Sequence, residues 1–217
     1  MKYFSITLCF YFLSTIQTVW AQNKFEAGYI VNAQKDTLTG FLEYGEWSQN
    51  PREICFKPKL ENAPREYLPQ DISSFYVHDK TYVKAAVLAD KTGSKIKVSP
   101  EFPFLPVLED TVFLLELVPG VKSLYHLKDK DNKEHFYIEK NGQMEWLIFQ
   151  FYKDTLLNNA FSGGYIVDHT YKLQLFEYLD KCQEIKRKSY ILSYSQKSLK
   201  SIFLRYYEKC GRRRRRW

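Results

Sequence analysis

The chain is predicted to be an α+β protein, an antiparallel β-rich body of about nine strands followed by two C-terminal amphipathic helices. Three observations predict it. Between residues 28 and 149, short apolar runs with period-two alternation are separated by turn signals. Tyr and Phe, with 17 and 16 copies, bring the aromatic content to 17%, and these side chains suit a pleated, half-buried surface. After Gly163-Gly164 the apolar residues recur at helical spacing.

The first hairpin runs from Gly28-Tyr29-Ile30-Val31 through a turn at Gln34-Lys35-Asp36 into Thr37 to Tyr44. There Leu38, Leu42 and Tyr44 share one face, with Gly40 between them. Arg52 to Phe56 is a short strand closed by Pro58. Ile72 to Val77 and Thr81 to Val87 make a second hairpin about His78-Asp79-Lys80, and Lys95 to Val98 is a further short strand. Pro100, Pro103 and Pro106 interrupt regular structure. Thr111 to Val118 then runs into a turn at Pro119-Gly120. Ser123 to Leu127 pairs with His135 to Ile138, and Asn141-Gly142 turns the chain into Met144 to Phe149.

In 169–182, Tyr171, Leu175, Tyr178, Leu179 and Cys182 mark the first helix, with Asp168 as its N-cap. In 195–210, Leu199, Ile202, Phe203 and Tyr206 mark the second, capped by Ser195 or Ser193. Gln183 to Tyr194 is the connection that returns the chain along the first helix.

Met1-Lys2, the largely apolar Tyr3 to Trp20 and the end at Val19-Trp20-Ala21 have the form of a secretory signal peptide cleaved after Ala21. An N-terminal membrane anchor is the alternative, and its polar residues Ser5, Thr7, Ser14, Thr15, Gln17 and Thr18 make it a poor span. The chain thus divides into a signal peptide (1–21), a β-rich body (22–155), a helical part packed on that body (156–211) and a disordered arginine tail (212–217). No transmembrane span is expected in the mature chain. The expected location is the periplasm, the outer membrane or the cell surface.

The formal net charge is +7. Lys2 leaves with the signal peptide, and Arg212, Arg213, Arg214, Arg215 and Arg216 hold five of the remaining positive charges, so Gln22 to Gly211 is near +1. A nucleic-acid-binding face needs cations clustered on the folded domain, so no nucleic-acid partner is expected. The consecutive arginines repel one another. Outside the cytoplasm their counterparts are anionic lipid phosphates, acidic glycans or stray DNA; the alternative is a chance terminus.

Cys55, Cys182 and Cys210 lie beyond the signal peptide. In an oxidising compartment Cys182 and Cys210 are the expected disulfide, worth about 3–4 kcal/mol in chain-entropy terms. Cys55, in Ile54-Cys55-Phe56, reads as a buried free thiol. A bridge from Cys55 to either of the others is the open alternative.

No catalytic, cofactor-binding or metal-ligating residue is assigned. His78, His126, His135 and His169 form no His-x-x-x-His pair and adjoin no Cys-x-x-Cys. His126 and His135 fall on facing strands of one hairpin, where satisfied or surface histidines are expected. Asp129 to Glu134 has acidic residues at alternate positions, but Lys133 and Glu134 stand where a calcium loop needs an oxygen ligand and a glycine. There is no Gly-x-Ser-x-Gly elbow, phosphate loop or dinucleotide fingerprint. A paired-carboxylate glycosidase could draw on Glu43, Glu46, Glu109, Asp110 and Glu116, and nothing in the sequence selects two of them.

A set of short motifs spans the mature chain. They are Gly28-Tyr29-Ile30-Val31, Asp36 to Leu42, Trp47, Asn50-Pro51, Ile54-Cys55-Phe56-Lys57, Tyr67 to Ile72, Val118-Pro119-Gly120, Ser123-Leu124-Tyr125, Tyr178 to Cys182, Leu199, and Phe203 to Cys210. Together they resemble a family of exported Bacteroidota envelope proteins that has no assigned reaction. Many of its members look like an N-terminal module ahead of an outer-membrane β-barrel, which this chain lacks. The resemblance implies an envelope role and supplies no site residues. Asp36-Thr37-Leu38, Asp110-Thr111-Val112 and Asp154-Thr155-Leu156 look like the periplasmic O-glycosylation signal of that phylum, with Thr37, Thr111 and Thr155 as acceptors. Thr37 leaves a turn, whereas Thr111 is expected to enter a buried strand. The function expected is a non-enzymatic envelope module binding a protein or glycan partner. A secreted carbohydrate-active hydrolase and adhesion through the arginine tail are the alternatives.

Overall fold

The computed structural model describes residues 24–90, 107–153, 165–189 and 191–210. The signal peptide, the Lys95–Val98 strand, Thr155 and the arginine tail lie outside the described residues. Ten strands form one antiparallel sheet: β1 (Phe25–Asn32), β2 (Thr37–Glu43), β3 (Ile54–Lys57), β4 (Arg65–Tyr67), β5 (Ile72–Val77), β6 (Lys80–Asp90), β7 (Val107–Val118), β8 (Leu124–Lys128), β9 (Glu134–Lys140) and β10 (Gln143–Trp146). β11 (Gln150–Lys153) and β12 (Tyr165–Asp168) pair with each other. Three helices close the described chain: α1 (Thr170–Tyr178), α2 (Gln183–Ser189) and α3 (Gln196–Lys209).

The order across the sheet is β10-β9-β8-β7-β6-β5-β1-β2-β3-β4. Two meanders, β1 to β4 and β5 to β10, are joined by the β1–β5 pairing. The β5–β6 turn at His78-Asp79 and the β9–β10 turn at Asn141-Gly142 have positive φ at both central residues, the conformation whose twist matches an antiparallel hairpin. Gly28 and Gly40 are cross-strand partners. A Cβ on either would overlap the Leu42 side chain, the Phe56 ring or the main chain of Tyr76 or Lys57, so the absence of a side chain lets these large groups fill that layer.

The sheet buries opposite faces along its length. On one face Ile30, Leu42, Ile54, Phe56, Phe75 and Phe113 form a core across β1 to β7, which Trp47 closes edge-on against Tyr44, Phe75 and Tyr82. On the other face Ala85, Val87, Leu114, Tyr125, Leu127 and Tyr137 pack together, and β10 comes back against β6. A third core lies under the helices: Leu124, Phe136 and Ile138 from β8 and β9 meet Tyr171, Leu175, Leu199 and Phe203. A register shift between Glu116 and Val118 turns Val118 into this third core, as an extra residue in a strand does. The shift between Val31 and Asn32 has a like effect on β5, where Ile72, Phe75 and Val77 are all buried despite unequal parity.

The expected α+β architecture is present, with local differences. The connection after the first helix contains a helix of its own, α2. Asp180 and Lys181 have positive φ and end the preceding helical segment before Cys182. Tyr165–Asp168, within the stretch read as helical, is a strand. Asp168 accepts from the Thr170 N–H and hydroxyl at 2.8 and 2.6 Å rather than standing as the N-cap, which is His169. Ser195 does cap α3, accepting from the Ser198 N–H. Leu38 shares the parity of Leu42 but is exposed although its partner Ile30 is buried, because β3 pairs with β2 only at Phe41 and Leu42. Among the described residues no helix is long and apolar enough to cross a membrane.

Candidate functional site

A recess opens where β7 and β8 part. Their ladder begins at Leu115↔His126, while β7 continues back to Val107 along β6. Into the gap projects the 49–52 loop. The Asn50 carboxamide donates to Phe113 O and His126 O, both at 2.9 Å, and accepts from Lys128 N–H at 2.9 Å. The Asn50 main-chain N–H donates to Lys128 O at 3.0 Å. The side-chain amide thus stands in for a peptide unit between two strand edges and caps both.

Beyond Asn50 the gap widens into a cleft of about 640 Å³. Its walls are Asp110–Val112 of β7, Leu127 to Asp131 at the end of β8, and the loops carrying Arg52 and Leu68-Pro69-Gln70. Gln49 ties the first loop to the β8–β9 turn through Lys130 O and Asn132 Oδ1, at 3.2 and 3.3 Å. Asp129 organises that turn. Its Oδ1 accepts from the Asp131 and Lys133 N–H groups at 2.8 and 2.9 Å, and its Oδ2 accepts from His135 Nε2 at 2.9 Å. Both oxygens of that carboxylate are engaged in holding the turn. Arg52, Lys130 and Asp131 are exposed at the rim.

The main-chain groups facing the cleft follow from strand alternation. Phe113 O points to the β8 side, so Thr111 and Glu109, two and four residues away, present their N–H and C=O on the same edge. No described strand pairs with that edge of Val107–Phe113.

Thr111 is exposed beside this cleft. The expectation of a buried strand position fails because β8 does not reach it. Thr37 is exposed where it leaves the first turn. Cys182 and Cys210 are at disulfide distance, their Cα atoms 6.2 Å apart. Cys55 is free and half-buried rather than buried, since β3 turns Ile54 and Phe56 into the core and Cys55 to the opposite face. Burial, then a hydrogen bond from the thiol to Glu43, pushes its pKa up to about 11, so the nucleophilic thiolate is scarce.

His126 and His135 do not face each other. His126 pairs with Phe136 and His135 with Leu127, so the two rings lie on opposite faces of the sheet. His126 is buried under α3, where the Gln196 amide lies 3.2 Å from Nδ1. Burial lowers its pKa to about 4, with repulsion from His135 and Lys128 adding to the effect. Among the described residues no group of three or more His, Cys, Asp or Glu is placed to hold a metal ion.

Of the five carboxylates that a glycosidase pair could draw on, Glu43, Glu46, Glu109, Asp110 and Glu116, Asp110 alone lines the cleft, where Asp129 and Asp131 join it. Glu43 lies beside Cys55. Glu116 sits near Glu139, its pKa raised by burial and then by that neighbour. Asn50 and Asp129, which shape the cleft, are assigned no site role from the sequence, where they stand only in the Asn50-Pro51 pair of the resemblance and at the start of the rejected calcium loop. Their signal was only a polar residue next to a proline in one case and a turn-forming aspartate in the other. The chain matches no family model, no curated protein and no solved structure.

Proposed function

We propose that the chain is an exported, non-enzymatic cell-envelope module whose β7–β8 cleft receives an extended segment of a partner protein. The observation that carries this reading is the β7 edge at Thr111, which lines the cleft without a described strand beside it. Strand edges of this kind recruit an added strand through main-chain hydrogen bonds, while flanking side chains set the preference. The Asn50 amide already occupies the position of one peptide unit at the closed end. Arg52, Lys128 and Lys130 stand with Asp110 and Asp131 around the opening, which favours a polar partner of mixed charge over an apolar one. A glycan is the other ligand class that fits the export signal.

A photo-crosslinking amino acid at Thr111 in living cells tests the reading. The expected result is a discrete adduct with one envelope protein that disappears on Asn50→Leu. Capture of an oligosaccharide by the purified protein, with no protein adduct, would replace the peptide by a glycan. Turnover of an envelope polysaccharide that Asp110→Asn abolishes without unfolding would establish the hydrolase alternative instead.

A further inference from the structure

Charge is segregated between the two layers. Residues 170–210 hold nine Lys and Arg against four Asp and Glu, a formal +5. Residues 22–169 hold 17 against 21, a formal −4. The near-neutral total conceals a basic helical layer on an acidic sheet.

The inner side of that layer is committed to the third core through Leu175, Leu199 and Phe203. Its outer side is exposed. Lys197, Lys200, Leu204 and Glu208 share one exposed face of α3, with Glu208 paired to Lys209, and Lys188 is exposed near the end of α2. Between α2 and α3 runs a groove of about 200 Å³, lined by Lys188, Ile191, Leu192, Ser198, Ser201 and Arg205. Ile191 and Leu204 are large aliphatic side chains left 61% and 54% exposed beside these cations. The sequence continues from Cys210, which lies at disulfide distance from Cys182, into Arg212 to Arg216.

We propose that the α2–α3 face docks on the surface of an anionic phospholipid bilayer. Cations and exposed aliphatic groups on α3 and the α2–α3 turn fit the two halves of a membrane interface: headgroup phosphates take the charges, and the upper acyl region takes Ile191 and Leu204. A nucleic-acid duplex would satisfy the cations but gives the aliphatic groups nothing to enter. The groove supplies Lys188 and the Ser201 hydroxyl for one headgroup phosphate, with Arg205 beside them, 4.0 Å from the Glu184 carboxylate that it shares with Arg187. The docking site is separate from the β7–β8 cleft and stands whether or not that cleft binds a peptide.

Flotation of the purified protein with vesicles tests it, using phosphatidylcholine with and without phosphatidylglycerol. Binding is expected only to the anionic vesicles and is expected to weaken as salt rises. The combined Lys188→Glu, Lys197→Glu and Lys200→Glu variant should bind at least about tenfold more weakly. Ile191→Ser should bind several-fold more weakly. Removal of residues 212–217 should leave binding that still depends on those lysines. All these positions are exposed, and unchanged melting temperatures would establish that the variants fold. Three outcomes overturn the proposal: no binding to anionic vesicles, binding abolished by tail removal yet indifferent to the lysines, or binding to duplex DNA but not vesicles.

Discussion

The Tyr207 hydroxyl binds both main-chain groups of Lys122, accepting from its N–H at 2.9 Å and donating to its carbonyl at 2.7 Å. One turn of the sheet is thereby fastened to the last helix. Tyr178 repeats the arrangement at Ser123, with its hydroxyl 2.9 Å from the N–H. Lys122 Nζ also reaches Asp180 at 2.9 Å.

Tyr207→Phe should therefore destabilise the protein by about 1–2 kcal/mol, because part-buried peptide groups lose their partner. Gly120→Ala should cost more. Gly120 has φ +130°, and a Cβ there would meet the Tyr207 hydroxyl. Urea unfolding of both single variants and the double variant checks this, and the double should fall short of the sum.

Asn50→Ala should cost about 2–4 kcal/mol, since Phe113 O, His126 O and Lys128 N–H lose a shared partner. Asn50→Asp should also be destabilising, because a carboxylate cannot donate to the two carbonyls. Hydrogen exchange is expected to rise first at Lys128 and along the neighbouring edge of β7.

Replacing Cys182 or Cys210 with Ser should lower stability by about 3–4 kcal/mol, as should reduction. The pair spans 28 residues of sequence and ties the end of α3 to the segment before α2. A thermal melt with and without reductant measures the effect. Cys55, with its raised pKa, should react slowly with iodoacetamide in the folded protein and rapidly in denaturant.

His126 sets a pH dependence. Its pKa is about 4 in the fold, against about 6.5 when unfolded. Above about pH 6.5 both states hold the ring neutral, and its contribution is fully present. As pH falls from there to about 4, the unfolded chain takes the proton first, and stability declines by up to about 1.4 kcal/mol per pH unit. Below the folded pKa this group adds no further slope. In His126→Asn the slope across that window should flatten, as read from urea midpoints.

Much of the sheet was legible because its signals are local. Asn141-Gly142 and His78-Asp79 mark hairpins through φ alone, and Tyr171, Leu175, Leu199 and Phe203 mark helix faces through spacing. Arg65–Tyr67 was not legible, since three residues are too few to show a period. Neither was α2, whose Gln183–Ser189 sequence is mostly polar and turns only Ile185 firmly inward. The burial of Ile72 together with Phe75 depends on a bulge, which shifts parity without any residue announcing it. The cleft was illegible for a stronger reason. It arises from a strand that stops short, and Asn50 fills its closed end from 63 residues away, a relationship that no local pattern encodes.

The place of β1 has a practical consequence for anyone trimming this chain. The first described strand is held between β2 and β5, in the interior of the sheet rather than along its rim. Cutting back past Phe25 therefore does not peel off a border. It splits the sheet into a β2–β4 piece, left attached through Trp47 and Asn50, and a β5–β10 piece with its helices, and the seam would expose Phe75, the cross-strand partner of Ile30, to solvent. Expression boundaries that begin at or before Lys24 should yield folded material, whereas those beginning after Asn32 should yield aggregates.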